Sequence, residues 1–414
     1  MTTTQTESKD LRKERGQLLA ETARIKHIAG VTWLVPSQSQ ASGGYVVNTQ
    51  EETCTCPDFE LRQLRCKHQW AVEIAQTIEK KKDGSTVVTQ SFSYSRTTNF
   101  GKDWNAYNTA QCEEKEVVQQ LLRGLCDGIK NPEHKSRGRK PIPLSDATFS
   151  MVMKVYGLMS GRRSTTDLEA AADAGSVTKA PRYNTLFDYF DKPEMTAILT
   201  GLIEKSAAPL ATIETSFAVD STGFGTAVYR RWYDQKYGRE MKEHTWLKAH
   251  AIVGTKTNVV TSVKVTGSEG ADCPQLPELV SATKASFQME QVSADRAYLS
   301  HENLTAIEAA GAAPFVPFKV NSQDDGSPAW RKMRAVFMFK QDEFLAAYAK
   351  RARVESTFSA VKRKFGQSVK SKTFIAQTNE ILCKILAHNL TCLVLAMRAL
   401  GIEPSFLATA KAVA

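Results

Sequence analysis

The sequence predicts an α/β protein whose main body is a mixed-sheet domain in the second half of the chain, preceded by a helical segment and a small ββα module. Three observations carry this. From Thr215 onward, short strand-like apolar runs alternate with helical ones. Between Trp104 and Ser206 the apolar residues instead recur at helical spacing. Near the N-terminus, two β-like runs lead into clustered cysteines, a histidine and an apolar-periodic helix.

The 414 residues leave room for two or three domains. The boundaries read as 1–80 for the small module, 81–142 for a linker with a helix and a basic strip, and 143–206 for a helical, DNA-binding-like segment. The α/β domain follows at 207–370, then a helical tail at 371–414. With 54 Lys plus Arg against 44 Asp plus Glu, the net charge is +10, which suits a polyanionic partner. The first 30 residues hold no apolar signal segment. The most apolar stretch, Ile381–Leu400, is broken by Lys384, His388, Asn389 and Arg398 and reads as a core helix, not a membrane span. A cytoplasmic protein is expected, nucleoid-associated in a bacterium, with buried thiols in place of disulfides.

The first 20 residues are polar and read as a loose start or a frayed helix. Val31–Val35 and Tyr45–Val47 are strand-like, and Trp70–Ile78 is helix-like. Between them stand Cys54-x-Cys56, nine residues, then Cys66-x-His68. Three thiolates and one imidazole make a closed tetrahedral set suited to one structural zinc ion, with no position left for water. The ligand pattern after a short hairpin resembles the SWIM zinc finger, which implies a nucleic-acid-binding or protein-binding role.

Residues 80–103 are charged and then Ser/Thr-rich, as in a linker. Trp104–Cys126 reads as a helix, and Lys130–Lys140 follows as a basic strip. Within that strip Arg137-Gly138-Arg139-Lys140-Pro141 is similar to the core of an AT-hook, with one inserted Lys; the competing reading is a plain basic linker. Helical periods follow at Leu144–Ser160, Pro181–Phe190 and Pro193–Ser206. Ser164-x-x-Asp167 has the form of a capping box. Arg162, Arg163, Lys179 and Arg182 mark the corners of this unit, which fits either a helix-turn-helix-like DNA binder or an ordinary packing domain.

In the α/β domain, Ser216–Val219 is a strand ending on Asp220. Trp246–Val253 and Val259–Val265 form a hairpin around Lys256-Thr257-Asn258. A helix at Pro274–Ser286 precedes the strand Met289–Ala294, which ends on Asp295. Helix Glu302–Ala310, strand Pro314–Lys319, a loop and a last helix complete the order, a mixed sheet of the ribonuclease-H type. On a helix through Tyr348–Lys362, Tyr348, Arg351, Glu355 and Lys362 share one face, while Val354, Phe358, Val361 and Phe365 form an apolar stripe beside it. From Tyr348 to Lys372 there are eight Lys or Arg and a single acid, Glu355. Lys248 and His250 share a strand face, where a partly buried histidine is the expected state.

Two Asp at strand ends and a Glu on a packed helix are what a two-metal phosphoryl-transfer site needs. Mg²⁺ takes hard oxygen ligands, and a pair of ions clamps both oxygens of an in-line displacement. The spacing Tyr348-x2-Arg351-x3-Glu355-x6-Lys362 resembles the signature of insertion-sequence DDE transposases. Four fixed residues at fixed gaps arise by chance in about one window in 10⁵. Ala218–Gly223 and Ser293–Tyr298 resemble the first and second acid motifs of that family. The resemblance spans roughly residues 145–400. It implies Asp220, Asp295 and Glu355 as the triad holding two Mg²⁺ or Mn²⁺ ions, with Tyr348, Arg351 and Lys362 on DNA phosphates. Only 59 residues separate Asp295 from Glu355, too few for the β-rich insertion of some relatives.

The expected activity is cleavage at the ends of a mobile element and strand transfer into target DNA, by a chain acting on double-stranded DNA, as a homodimer when two ends are paired. The alternatives are a non-catalytic DNA-binding regulator derived from a transposase, and a metal-dependent nuclease that does not join.

Overall fold

The computed structural model describes residues 4–23, 25–37, 43–75, 77–80, 86–89, 104–132, 140–226, 246–319, 322–323 and 326–407. The chain divides into two compact units, Met1–Lys102 and Asp103–Ala414.

In the first unit a helix, α1 (Thr4–Thr22), precedes four short strands, β1 (Lys26–Ala29), β2 (Thr32–Pro36), β3 (Gly44–Asn48) and β4 (Thr53–Cys54). They pair antiparallel in the order β1-β2-β3-β4. Helices α2 (Pro57–Arg62) and α3 (Lys67–Ala75) follow, then β5 (Thr77–Lys80) paired with β6 (Thr86–Thr89). Of the two readings of the N-terminus, a loose start or a frayed helix, the structure has the helix: residues 4–22 are helical, and Leu19 is fully buried with Trp33, Val35 and Val47. Gly16 permits the contact, because a Cβ there would lie 2.5 Å from Cβ of Trp70 on α3. The helix expected to run to Ile78 stops at Ala75, and Ile78 belongs to β5. Much of the expected linker 80–103 lies outside the described residues, as do Arg137 and Arg139 of the basic strip.

The second unit opens with α4 (Trp104–Cys112), α5 (Glu114–Asp127), α6 (Leu144–Tyr156), α7 (Thr165–Asp173), α8 (Tyr183–Phe190) and α9 (Pro193–Ala207). Ser164 is not the box expected. Its hydroxyl is buried and donates to the Gly161 carbonyl, so it makes no side-chain cap on α7. The sheet comprises β7 (Ser216–Gly225), β8 (Trp246–Gly254), β9 (Val260–Gly267), β10 (Gln291–Ala294) and β11 (Ala313–Phe315), in the order β11-β10-β7-β8-β9. β7, β8 and β9 are antiparallel, whereas β10 and β11 run parallel to β7. This is the mixed sheet of ribonuclease-H type that the element order predicts. β10 is buried along its whole length, as a parallel strand covered on both faces must be.

Helices α10 (Leu276–Lys284) and α11 (His301–Ala309) flank β10 in the chain. Where the sequence reads a loop before Glu355, the chain forms α12 (Pro328–Phe339) and α13 (Gln341–Tyr348). α13 buries Phe344 alone and so leaves a weak apolar period to read, whereas α12 buries Ala329, Trp330 and Met333 along a distinct apolar face. A 3₁₀ turn (Ala349–Arg351) leads into α14 (Ala352–Phe365). Last comes α15 (Phe374–Leu400), long and apolar enough to cross a membrane by composition, yet mostly buried as a core helix.

The segments that the sequence separates at 206/207 and 370/371 share one hydrophobic core here, with Leu199, Ile203, Val260, Ile385 and Leu390 among its members. Asn389 ties them together. Its amide receives the Val260 N–H at 2.8 Å and donates to the Val260 carbonyl at 2.7 Å and the Ser206 hydroxyl at 3.0 Å. A single side chain thus satisfies both backbone groups at one position of the outermost strand, β9.

Candidate active site and metal-ligand cluster

Asp220 lies within β7, not at its end, because the strand continues to Gly225. Val219 pairs with Ala294 on parallel β10, so Asp295, the next residue, arrives beside Asp220 at the same level of the sheet. Asp295 is held by its own chain: its carboxylate accepts the Arg296 N–H at 2.5 Å and caps the 3₁₀ turn Arg296–Tyr298. Asp220 accepts the Ser221 N–H at 2.8 Å. Glu355 comes from the first turn of α14, whose Val354, Phe358, Val361 and Phe365 are buried as the stripe predicts.

Arg351 joins two of these acids. Its guanidinium meets Asp220 at 2.9 Å and Glu355 at 2.5 Å. The Arg351 and Asp220 side chains are 21% and 22% exposed, while Glu355 is 56% exposed. Burial raises the Asp220 carboxyl above its ordinary value; Asp295 and Glu355 push the same way, while the Ser221 N–H and Arg351 oppose. The straight helix expected through Tyr348–Lys362 is broken by the 3₁₀ turn, which places Arg351 at the joint. Lys350 anchors that joint on the sheet by donating to Ser216 Oγ and Gln291 Oε1.

Tyr348 is half-buried, stacked on Phe344 with ring centroids 6.1 Å apart, and the Arg351 guanidinium lies 5.9 Å from its ring. Lys362 lies 5.5 Å from the Phe224 ring, and burial lowers its pKa. Asp220, Thr222, Glu355, Ser359, Lys362 and Arg363 line one cleft of about 680 Å³. Its floor at the end of α14 is Gly366, whose φ of +83° suits glycine. The Gly366 carbonyl is held by the buried Lys384 ammonium at 2.9 Å. Ser359 and Arg363 were not singled out from the sequence, since nothing in their spacing marks them; Thr222 appears there only within the first acid motif, and Lys384 only as a charge in the apolar stretch. His250 is fully buried, with Nδ1 3.1 Å from Asp272 and Nε2 2.9 Å from Thr266 Oγ1, a structural position.

The second cluster is in the first unit. Cys54 ends β4, Cys56 caps α2, and Cys66 and His68 open α3. All four are buried, with their ligand atoms within 4.8 Å of one another. Among the described residues this is the one His, Cys, Asp and Glu group that converges so closely. His68 turns Nδ1 toward Cys66 Sγ at 3.8 Å and Cys54 Sγ at 3.9 Å, under the Tyr45 ring. The Cys54 hydrogen bond pulls Cys66 down to about 4, aided by His68 and Gln69. A buried thiolate with convergent soft donors fits zinc.

Residues 212–390 match the family model of the transposase DDE domain, which spans the sheet, all three acids and most of α15. Residues 45–76 match that of the SWIM zinc finger, which takes in all four convergent donors. No curated protein matches the chain significantly. The chain therefore carries a transposase DDE domain, ribonuclease-H-like in fold, behind an N-terminal SWIM zinc finger.

Proposed function

We propose that the chain is a DNA transposase that cuts the ends of a mobile element and joins them to target DNA. The observation that carries this is the placement of Asp220 and Asp295 at one level of adjacent parallel strands, with Glu355 linked to Asp220 through Arg351. All three donors are hard carboxylate oxygens, and the guanidinium stands in for the positive charge that they call for, so the set fits Mg²⁺ or Mn²⁺. Asp220, central among the three, would serve two ions, with Asp295 and Glu355 serving one each. Such ions, when bound, stabilise the attacking and leaving oxygens of phosphoryl transfer.

The protein's own groups do the rest. Lys362 and Arg363, on the rim of the same cleft, hold the DNA backbone against the acids. Arg351 turns from the carboxylates to a DNA phosphate, and Tyr348 packs beside it. Cleavage by water leaves a 3′-hydroxyl, and that hydroxyl attacks target DNA at the same site, so no Ser or Tyr nucleophile is required. Two copies act together when two ends are paired. The Cys54–His68 cluster holds one zinc ion and fixes the fold of its module, and it takes no part in the chemistry.

The test is divalent-metal-dependent cleavage of DNA carrying the inverted repeats that flank the gene, followed by joining of pre-cut ends. Asp220→Ala, Asp295→Ala and Glu355→Gln should each abolish both steps. Normal cleavage by any of the three would remove that residue from the site. Cutting without joining would leave a nuclease, and DNA binding without cutting would leave a regulator.

A further inference from the structure

A second cavity of about 420 Å³ lies where the loop after α14 enters α15. It is lined by Lys154, Lys370, Lys372, Ser160 and the Thr373 cap, against walls of Phe187 and Phe190. Lys154 is 6% exposed yet carries an ammonium group. Among the described residues no acceptor or carboxylate pairs with it, and its close neighbour is the Phe190 ring at 5.2 Å. Glu380 is the nearby buried acid, but its carboxylate is already taken by the Lys370 N–H, the Ser371 N–H and the Ser371 hydroxyl. Asp191 at the cavity mouth is likewise engaged by the Thr373 hydroxyl. Burial lowers the Lys154 pKa, and the nearby Glu380 charge offsets only part of that, since it makes no direct ion pair with the ammonium.

Into the same space opens the N-terminus of α15, a helix of 27 residues capped by Thr373. Its first N–H groups and its dipole favour an anion. The wall is closed on purpose-built terms: Phe187 lies so near Gly161 that a Cβ there would come within 2.4 Å of the ring.

We propose that this cavity is a phosphate-binding subsite for the DNA on which the transposase reading rests. One backbone phosphate sits on Lys154, Lys372 and the α15 N-terminus, with its sugar against Phe187. The position suits it. Gln367 lines the catalytic cleft and Lys370 this cavity, three residues further on. Gln367 and Lys370 are at most about 10 Å of extended chain apart, so the adjoining edges of the two cavities lie within roughly three nucleotides of each other at 3.4 Å per step. A strand leaving the cleft past Gln367 meets the second cavity next.

The test uses the full chain and two probes, a random-sequence DNA duplex followed by anisotropy across a salt series, and inorganic phosphate followed by thermal melting. Lys154→Met keeps the side-chain volume, and Lys372→Gln changes an exposed residue that the fold does not need. Each should weaken duplex binding roughly tenfold and reduce the slope of log K against log salt by about 1. Millimolar phosphate should raise the melting temperature of the wild type, and not that of Lys154→Met. Unchanged affinity and slope in both variants would overturn the proposal. Loss of phosphate protection with duplex binding intact would also overturn it, assigning the cavity to a small phosphate compound. Both arms are read at equilibrium, so a wild type that binds but never cuts sinks the transposase reading alone. If Asp220→Ala abolishes cutting while the lysine variants bind normally, only the subsite falls.

Discussion

Replacing Arg351 by methionine tests whether the guanidinium and divalent cations compete for the same acids. Methionine keeps the apolar stem against Tyr348 and removes the charge. The contact with Asp220 is partly buried and charge-assisted, so its loss costs about 1.5–2 kcal/mol. The contact with Glu355 is to a side chain 56% exposed and contributes about 0.5 kcal/mol after solvent screening. Together that is about 2 kcal/mol without metal. For a unit the size of Asp103–Ala414, about 2 °C per kcal/mol gives a drop near 4 °C. Scanning calorimetry in chelator and in Mg²⁺ measures both states. In the wild type a bound ion must first displace the guanidinium. In Arg351→Met it meets unpaired carboxylates, so Mg²⁺ should raise the melting temperature of the variant more than that of the wild type. Equal Mg²⁺ shifts in the two proteins would refute the competition, and no shift in either would remove the ions from this site.

Two further predictions concern stability. A strong zinc chelator, or Cys66→Ser, should unfold the module around Cys54, Cys56 and His68, seen as loss of its amide-exchange protection, while the transition of the larger unit stays in place; a module that keeps its protection after proven zinc loss contradicts the structural role. His388 is buried and neutral, lowered to about 4 by burial, with Nε2 donating to the Asn258 carbonyl at 2.9 Å. Its folded pKa lies below the unfolded value of 6.5, so its contribution is intact above that value and is lost as pH falls from 6.5 to 4, to the extent of about 3 kcal/mol. His388→Gln should flatten that part of the stability profile, and an unchanged slope would show that other groups carry it.

The sheet was legible because its strands are apolar runs bounded by turn residues, and because Ser216–Val219 and Met289–Ala294, the runs leading to Asp220 and Asp295, pair in register; the continuation of β7 through Asp220 to Gly225 is polar and was not. The Glu355 face and its apolar stripe were legible from helical period alone. Other features were hidden for physical reasons. α13 buries Phe344 alone, so its period is faint, whereas the apolar face of α12, with Ala329, Trp330 and Met333, is present in the text although a loop is read there. The 3₁₀ turn at Ala349–Arg351 keeps helical polarity in the text while changing the local pitch, and this puts Arg351 between two acids. Ser164 obeys the capping rule in spacing, but a buried bond to Gly161 diverts its hydroxyl. Lys154 and Lys370 are more than two hundred residues apart, and no linear pattern announces that they share a cavity.

The placement of α15 has a consequence for how the chain is made. Because Ile385, Asn389 and Leu390 complete the packing of α9 and the edge strand β9, a ribosome that has only reached the Glu355 helix holds a sheet with one face unsealed. The sheet is sealed only once Phe374–Leu400 has emerged, so a chain stalled before that helix is left with an exposed apolar face, open to proteolysis and association.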